Sequence, residues 1–171
     1  DVCSSDLYSL KDGIKDGFLT PFKVKIIQTD MDVYVYAGDD DVISGEEEIE
    51  EGEVFKEKDF NKRITIEGKE RNRVKSMLDS INPKEKTLVF CANIAHAGMV
   101  RDLINQVSVN PPVDYCVRVT SRDAKTGDTH LRQFQDNEKT LPTILTTSQK
   151  LSTGVDALIL RNIVLMRPSS D

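Results

Sequence analysis

Residues 142–166 read PTILTTSQKLSTGVDALILRNIVLM, and their pattern decides the fold. An apolar strand at 142–145 runs straight into a row of hydroxyl and amide side chains. The row closes on Gly154-Val155-Asp156, and a second apolar strand follows at 162–166. In an α/β protein, polar groups at the carboxyl end of a strand line the crevice where ligands bind. Short hydroxyl side chains and exposed backbone N–H groups suit phosphate oxygens. The stretch therefore reads as a site for a phosphate-bearing partner.

Working outward, the same alternation continues upstream. Residues 67–81 suit an amphipathic helix with Val74, Leu78 and Ile81 on one face, stopped before Pro83. Residues 87–91 (TLVFC) form a continuous apolar run, as in a strand buried on both faces. A helix is predicted over 95–106, with Met99, Val100, Leu103 and Val107 as its buried stripe. A strand at 114–119 (DYCVRV) and a short helix at 128–136 carrying Leu131 and Phe134 complete the series. Strands alternating with helices of this length imply βαβ units and a parallel sheet. The lead-in is less regular. A weak helix at 8–17 is followed by an extended FKVKII segment, a strand at 33–36, and short hairpin pieces at Val42-Ile43 and Val54-Phe55 around Gly38, Gly45 and Gly52. The organisation expected is a connector over residues 1–58 and an α/β domain over 59–171.

With 171 residues the chain can bury one real core. No apolar run approaches the length needed to span a membrane, and no signal peptide is visible. Cys3, Cys91 and Cys116 lack CxxC spacing, which argues against zinc and against a disulfide framework. A reduced, cytoplasmic protein is expected, and the sequence reads as a fragment of a longer polypeptide. The net charge of −6 is unevenly spread. Residues 1–83 hold 12 Lys/Arg against 20 Asp/Glu, whereas residues 84–171 hold 11 against 9. Residues 39–53 carry nine acids and no base, and read as a solvated loop. The acidic total therefore does not exclude nucleic acid from the second half, where the site lies.

Three loops leave strand ends in one direction: 91–96, 120–123 and 146–156. In a right-handed parallel sheet they share an edge and can converge. Ser, Thr, Asn and Gln predominate there, with Arg122 and Lys150 as cations. This inventory holds phosphate and lacks a nucleophile–His–acid set, so no catalytic residue and no metal ligand is assigned. There is no GxxxxGK[ST] loop and no GxGxxG. His96 reads as a capping or site-lining residue, His130 as a surface residue, and Cys91 as core. Arg122 suits either a surface ion pair or a phosphate contact.

TLVFCANIAHA, a strand ending in Thr-Ser, LRQFQDN and the opening stretch together resemble the second RecA-like motor domain of superfamily-two helicases and translocases. Residues 87–92 resemble motif IV and residues 146–156 resemble motif V. The wording, with DGFLTPFKVKIIQT and DFNKRITIEGKERNRVKSML ahead of it, is most similar to the R subunit of type I restriction–modification enzymes. The resemblance implies an α/β, RecA-like parallel sheet flanked by helices, preceded by an irregular strand-containing connector. It implies that Thr146, Thr147, Thr120, Ser121 and Asn93 approach a DNA backbone, with His96 near the cleft. Gly154 and Asp156 would face a nucleotide held between two motor domains. The implied cofactors are ATP and Mg2+, bound mainly by a first motor domain that this sequence lacks. The arginine-bearing last motif would follow shortly after Pro168, so the fragment alone should neither hydrolyse ATP nor cut DNA. The implied partners are double-stranded DNA and the methylase and specificity subunits. Two other readings stay open: another superfamily-two helicase acting in repair or on RNA, and a non-catalytic α/β interaction module.

Overall fold

The computed structural model describes residues 9–27, 33–35, 42–44, 50, 52–56, 59–60, 64–148 and 157–166. Ser9 opens helix α1 (Leu10–Lys15) with a capping box: its hydroxyl accepts the Asp12 N–H, and the Asp12 carboxylate accepts the Ser9 N–H. Residues 20–27 lie outside any described strand and are exposed, and the Lys25 ammonium reaches the Ser80 hydroxyl at 2.8 Å.

Four three-residue strands follow: β1 (Val33–Val35), β2 (Val42–Ser44), β3 (Val54–Lys56) and β4 (Ile64–Ile66). Their pairing corrects the expected hairpins. β1 pairs with β3 and β2 with β4, both antiparallel, so each skips its sequence neighbour. Strands this short form few bonds, and what anchors their flanks sets the partner more than the nearest glycine does. β4 leads directly into α2 (Glu67–Leu78), so β2 is tied to that helix through β4. Phe60 packs beneath Lys69 of α2, whose ammonium sits 3.8 Å from the ring centroid.

Beyond α2 the chain alternates as the apolar pattern predicts: β5 (Lys86–Cys91), α3 (Ile94–Val107), β6 (Cys116–Arg118), α4 (Ala124–Gln135), β7 (Ile144–Thr147) and β8 (Leu160–Met166). The four strands form one parallel sheet in the order β6-β7-β5-β8. Thr87 at the start of β5 faces Ile144 on one side and Asn162 on the other. The crossover from β5 to β6 runs one way along the sheet, and that from β6 to β7 runs back. Right-handed crossovers then require α3 and α4 to lie on opposite faces. The packing agrees. Val100, Leu103 and Ile104 of α3 join Val74 and Met77 of α2 over Val89, Cys91 and Ile144. Phe134 of α4 covers Leu88, Val117, Val119 and Leu145 on the other face. Both faces of β5 are thus apolar, which is why its sequence reads as an unbroken hydrophobic run, and β7 adds Ile144 to one face and Leu145 to the other.

Boundaries shift by a few residues. The α2 helix ends at Leu78, and Ile81 packs against the core from beyond its end. In α3 the fully buried stripe includes His96, Ala97 and Ile104, whereas Met99 and Val107 are half-buried at its margin. The α4 helix starts at Ala124, four residues before the expected Asp128, because the turn preceding it is built on Asp123. Lys86 is buried at the start of β5. Its ammonium donates to the Pro142 carbonyl at 2.7 Å and lies 5.1 Å from the Phe134 ring centroid.

Candidate functional site

Parallel strands end on a common edge, so β5, β6 and β7 deliver their carboxyl-terminal turns side by side. The turn after β5 is held by Asn93, the N-cap of α3. Its side-chain oxygen accepts the His96 N–H at 2.8 Å, while the residue itself stays exposed. The turn after β6 is held by Asp123. One of its carboxylate oxygens accepts both the Thr120 N–H, at 2.7 Å, and the Thr120 hydroxyl. The other accepts Arg118 Nε at 3.1 Å and Nη2 at 2.6 Å. Burial pushes the Asp123 carboxyl up, but the bonds from Arg118 and Thr120 and the Arg118 charge outweigh it. They hold the group below the usual carboxylate range. Thr120 is fully buried, whereas Ser121 and Arg122 are exposed at the tip of the turn.

Thr146 and Thr147 end β7. Both are fully buried, and each hydroxyl donates to a main-chain carbonyl: Thr146 to Ala97 at 2.9 Å, and Thr147 to Val119 at 2.8 Å. The first bond ties β7 to α3, and the second ties it to the end of β6. Ser148 is also buried. The rest of the third loop, including Lys150, Gly154 and Asp156, lies outside the described residues. Of the residues read as site candidates, Asn93 and Ser121 therefore stand at the surface of the edge, and Thr120, Thr146 and Thr147 lie beneath it.

His96 is 3% exposed. Its Nδ1 accepts the Ala92 N–H at 3.1 Å, and its Nε2 lies 3.0 Å from the Glu70 carboxylate of α2. An acceptor at Nδ1 must be unprotonated, so the ring is the neutral Nε2–H tautomer and donates to Glu70. Both nitrogens are occupied, and the ring cannot serve as a general base as it stands. Glu70, 1% exposed, also accepts Arg73 at 3.0 Å. The Cys91 thiol is pushed far up by burial and then by the Glu70 charge, which suits a core residue rather than a nucleophile.

His130 is half-buried on α4. It lines a cleft of about 450 Å³ beside β6 with Arg101, Asn105, Arg118 and Asp123. The outward N–H and C=O of Cys116 are both met by the Asn105 side-chain amide, at 3.2 and 3.0 Å, which closes the edge of β6 at that point. Among the described residues no group of His, Cys, Asp and Glu could hold a metal ion, and no helix is long and apolar enough to cross a membrane. Reading the sequence did not single out Glu70. Its signal was phase: Glu70 shares the helical stripe of Val74 and Met77, where a charge must find a buried partner.

No family model matches the chain. It is 32% identical over 167 residues to the type I restriction enzyme EcoAI endonuclease subunit of Escherichia coli, an alignment covering 93% of this chain and 20% of that protein. The chain is a homologue of type I restriction endonuclease subunits. It also matches the EcoKI endonuclease subunit of E. coli strain K12, at 29% identity over 94% of this chain and 15% of that relative. A solved fragment of an HsdR subunit of a type I restriction enzyme from Vibrio vulnificus YJ016 superposes with a TM-score of 0.54 and 38% identity. That match covers 59% of this chain and 20% of the other. The chain thus spans about a fifth or less of the curated relatives it matches.

Proposed function

We propose that this chain is part of an ATP-dependent double-stranded DNA translocase, the motor of a type I restriction endonuclease R subunit. The observation that carries the reading is the carboxyl edge of the sheet, where polar turns converge in a homologue of restriction endonuclease subunits. In this reading Asn93 and Ser121 face the DNA backbone, and Thr120, Thr146 and Thr147 form the layer directly beneath them. Amide and hydroxyl groups suit phosphate without reading base sequence, so target choice belongs to a separate specificity subunit. Gly154 and Asp156 face a nucleotide cleft completed by a first motor domain, which holds most of the ATP and Mg2+. Hydrolysis there opens and closes the cleft, and the backbone steps along the strand-end turns. The complete protein works in the cytoplasm with methylase and specificity subunits.

The test is DNA-stimulated ATP hydrolysis by the complete subunit that carries this segment. Asp156→Ala should lower it by roughly tenfold or more, the scale of losing one group that positions the reactants. The unfolding transition should stay in place. Undiminished hydrolysis by a folded Asp156→Ala subunit would remove Asp156 from the nucleotide cleft.

A further inference from the structure

The exposed turn after β5 is backed by a buried chain of hydrogen bonds that starts on another helix. Glu70 of α2 accepts His96 Nε2–H at 3.0 Å, and His96 Nδ1 accepts the Ala92 N–H at 3.1 Å. The His96 N–H in turn donates to the Asn93 side chain at 2.8 Å. Ala92 and Asn93 are the two residues between β5 and α3. The turn is therefore gripped twice by one residue, through its ring and through its backbone. The ring is itself gripped by a carboxylate 26 residues earlier in the sequence. Packing alone does not call for such a chain: a buried carboxylate and a buried imidazole are costly to desolvate, and apolar residues of similar volume would fill the same space more cheaply. The chain does specify direction. Reversing the His96 tautomer would set Nδ1–H against the Ala92 N–H, donor to donor, so only one arrangement of the turn satisfies both ends.

We propose that Glu70 and His96 are positioning residues that fix the β5–α3 turn for contact with the DNA backbone. The inference rests on the carboxyl edge being the DNA surface. Glu70 sets the His96 tautomer, the tautomer sets the Ala92 amide, and Asn93 is thereby held with its side chain at the exposed edge. A turn held in advance loses little freedom when phosphate arrives, so the pair contributes to affinity without touching the ligand. The link also gives α2 a route to the edge: any displacement of that helix would be felt at Ala92.

Three measurements on the chain test this. Long-range 1H–15N spectra of the His96 ring at neutral pH should show the Nε2–H tautomer alone; an Nδ1–H ring or a mixture overturns the proposal. Glu70→Leu removes the acceptor, and Glu70→Gln keeps one for His96. A short fluorescein-labelled duplex, followed by anisotropy at low salt, should bind the Leu variant roughly tenfold more weakly, the scale of one lost buried hydrogen bond to a charged group. The Gln variant should bind within about threefold of the parent, with Arg73 left facing an amide. A folded Glu70→Leu chain that binds the duplex like the parent overturns the proposal. If Glu70→Leu does not unfold cooperatively, His96→Asn replaces it. That variant keeps an acceptor for Ala92 but cannot reach Glu70, and the same loss is expected. If the parent chain itself fails to bind the duplex, the complete subunit that carries it takes its place in the assay; failure of that subunit removes the DNA reading, while the turn remains testable. Slow exchange of the Ala92 amide in the parent, lost in the Leu variant, supports the positioning device; fast exchange in the parent overturns it.

Discussion

Replacing Thr146 and Thr147 by valine separates two roles that the sequence could not distinguish. Valine keeps the branched shape and removes the hydroxyl. Each hydroxyl is fully buried and donates to a carbonyl, at 2.9 Å to Ala97 and 2.8 Å to Val119. A hydrogen bond of this kind contributes about 1 kcal/mol net. The Ala97 carbonyl sits inside α3, where the helical ladder supplies a second donor, so Thr146→Val belongs at the lower end of that range. The two side chains point to opposite faces of β7 and use different partners, so the double variant should lose about 1.5 kcal/mol, close to the sum of the singles. For a chain of this size each kcal/mol lowers the melting temperature by roughly 2–4 °C. Urea denaturation gives the free energies, and duplex binding by anisotropy gives the affinities. Both single variants should lose stability and keep the parent affinity. A variant that keeps its stability and loses DNA binding would show a hydroxyl facing the ligand, and would refute the reasoning from burial.

Asn105→Leu removes both bonds to Cys116 and should cost about 2 kcal/mol. It should also expose the outer edge of β6 to strand pairing, seen as concentration-dependent association by sedimentation; a monomer of unchanged stability would remove Asn105 as an edge cap. Asp123 binds protons more weakly folded than unfolded, its carboxyl lying below the ordinary value of 3.8. The stability it contributes is therefore complete at neutral pH and withdrawn as the pH falls through the folded value. The stability gap between the parent and Asp123→Asn should accordingly narrow below about pH 4, and a gap independent of pH would count against the Arg118–Asp123 pair.

The sheet was legible in the sequence because parallel strands buried on both faces leave apolar runs such as TLVFC at 87–91 and the Ile144-Leu145 pair that precedes the threonines. The beginning of α4 was not. Its first turn, Ala124–Gly127, carries no apolar periodicity and is set by the Asp123 carboxylate gripping Thr120. Of the lead-in strands β1, β2 and β3 were recognised, but β4 and the pairing were not, since three residues carry too little pattern to choose among edges. At the site, residue types drew attention to Asn93, Ser121 and the threonines without separating exposed groups from buried ones. That separation depends on the carbonyls of Ala97 and Val119, which no local pattern announces. Glu70 was hidden for the same reason, its partner lying on another element.

The order of the sheet also governs when it can form. The central strand, β5, has neighbours that come from residues 144–147 and 160–166, and the edge strand β6 is attached only through β7. On a ribosome, the apolar residues 87–91 would be synthesised long before either flanking strand exists. Until the chain reaches Met166, β5 has helices to lean on and an incomplete set of strands to pair with. Such long-range parallel pairing is slow. β8, made after both β5 and β7, therefore completes the pairing of β5, and a synthesis pause just before residue 160 would leave residues 87–91 without one of their two strand partners.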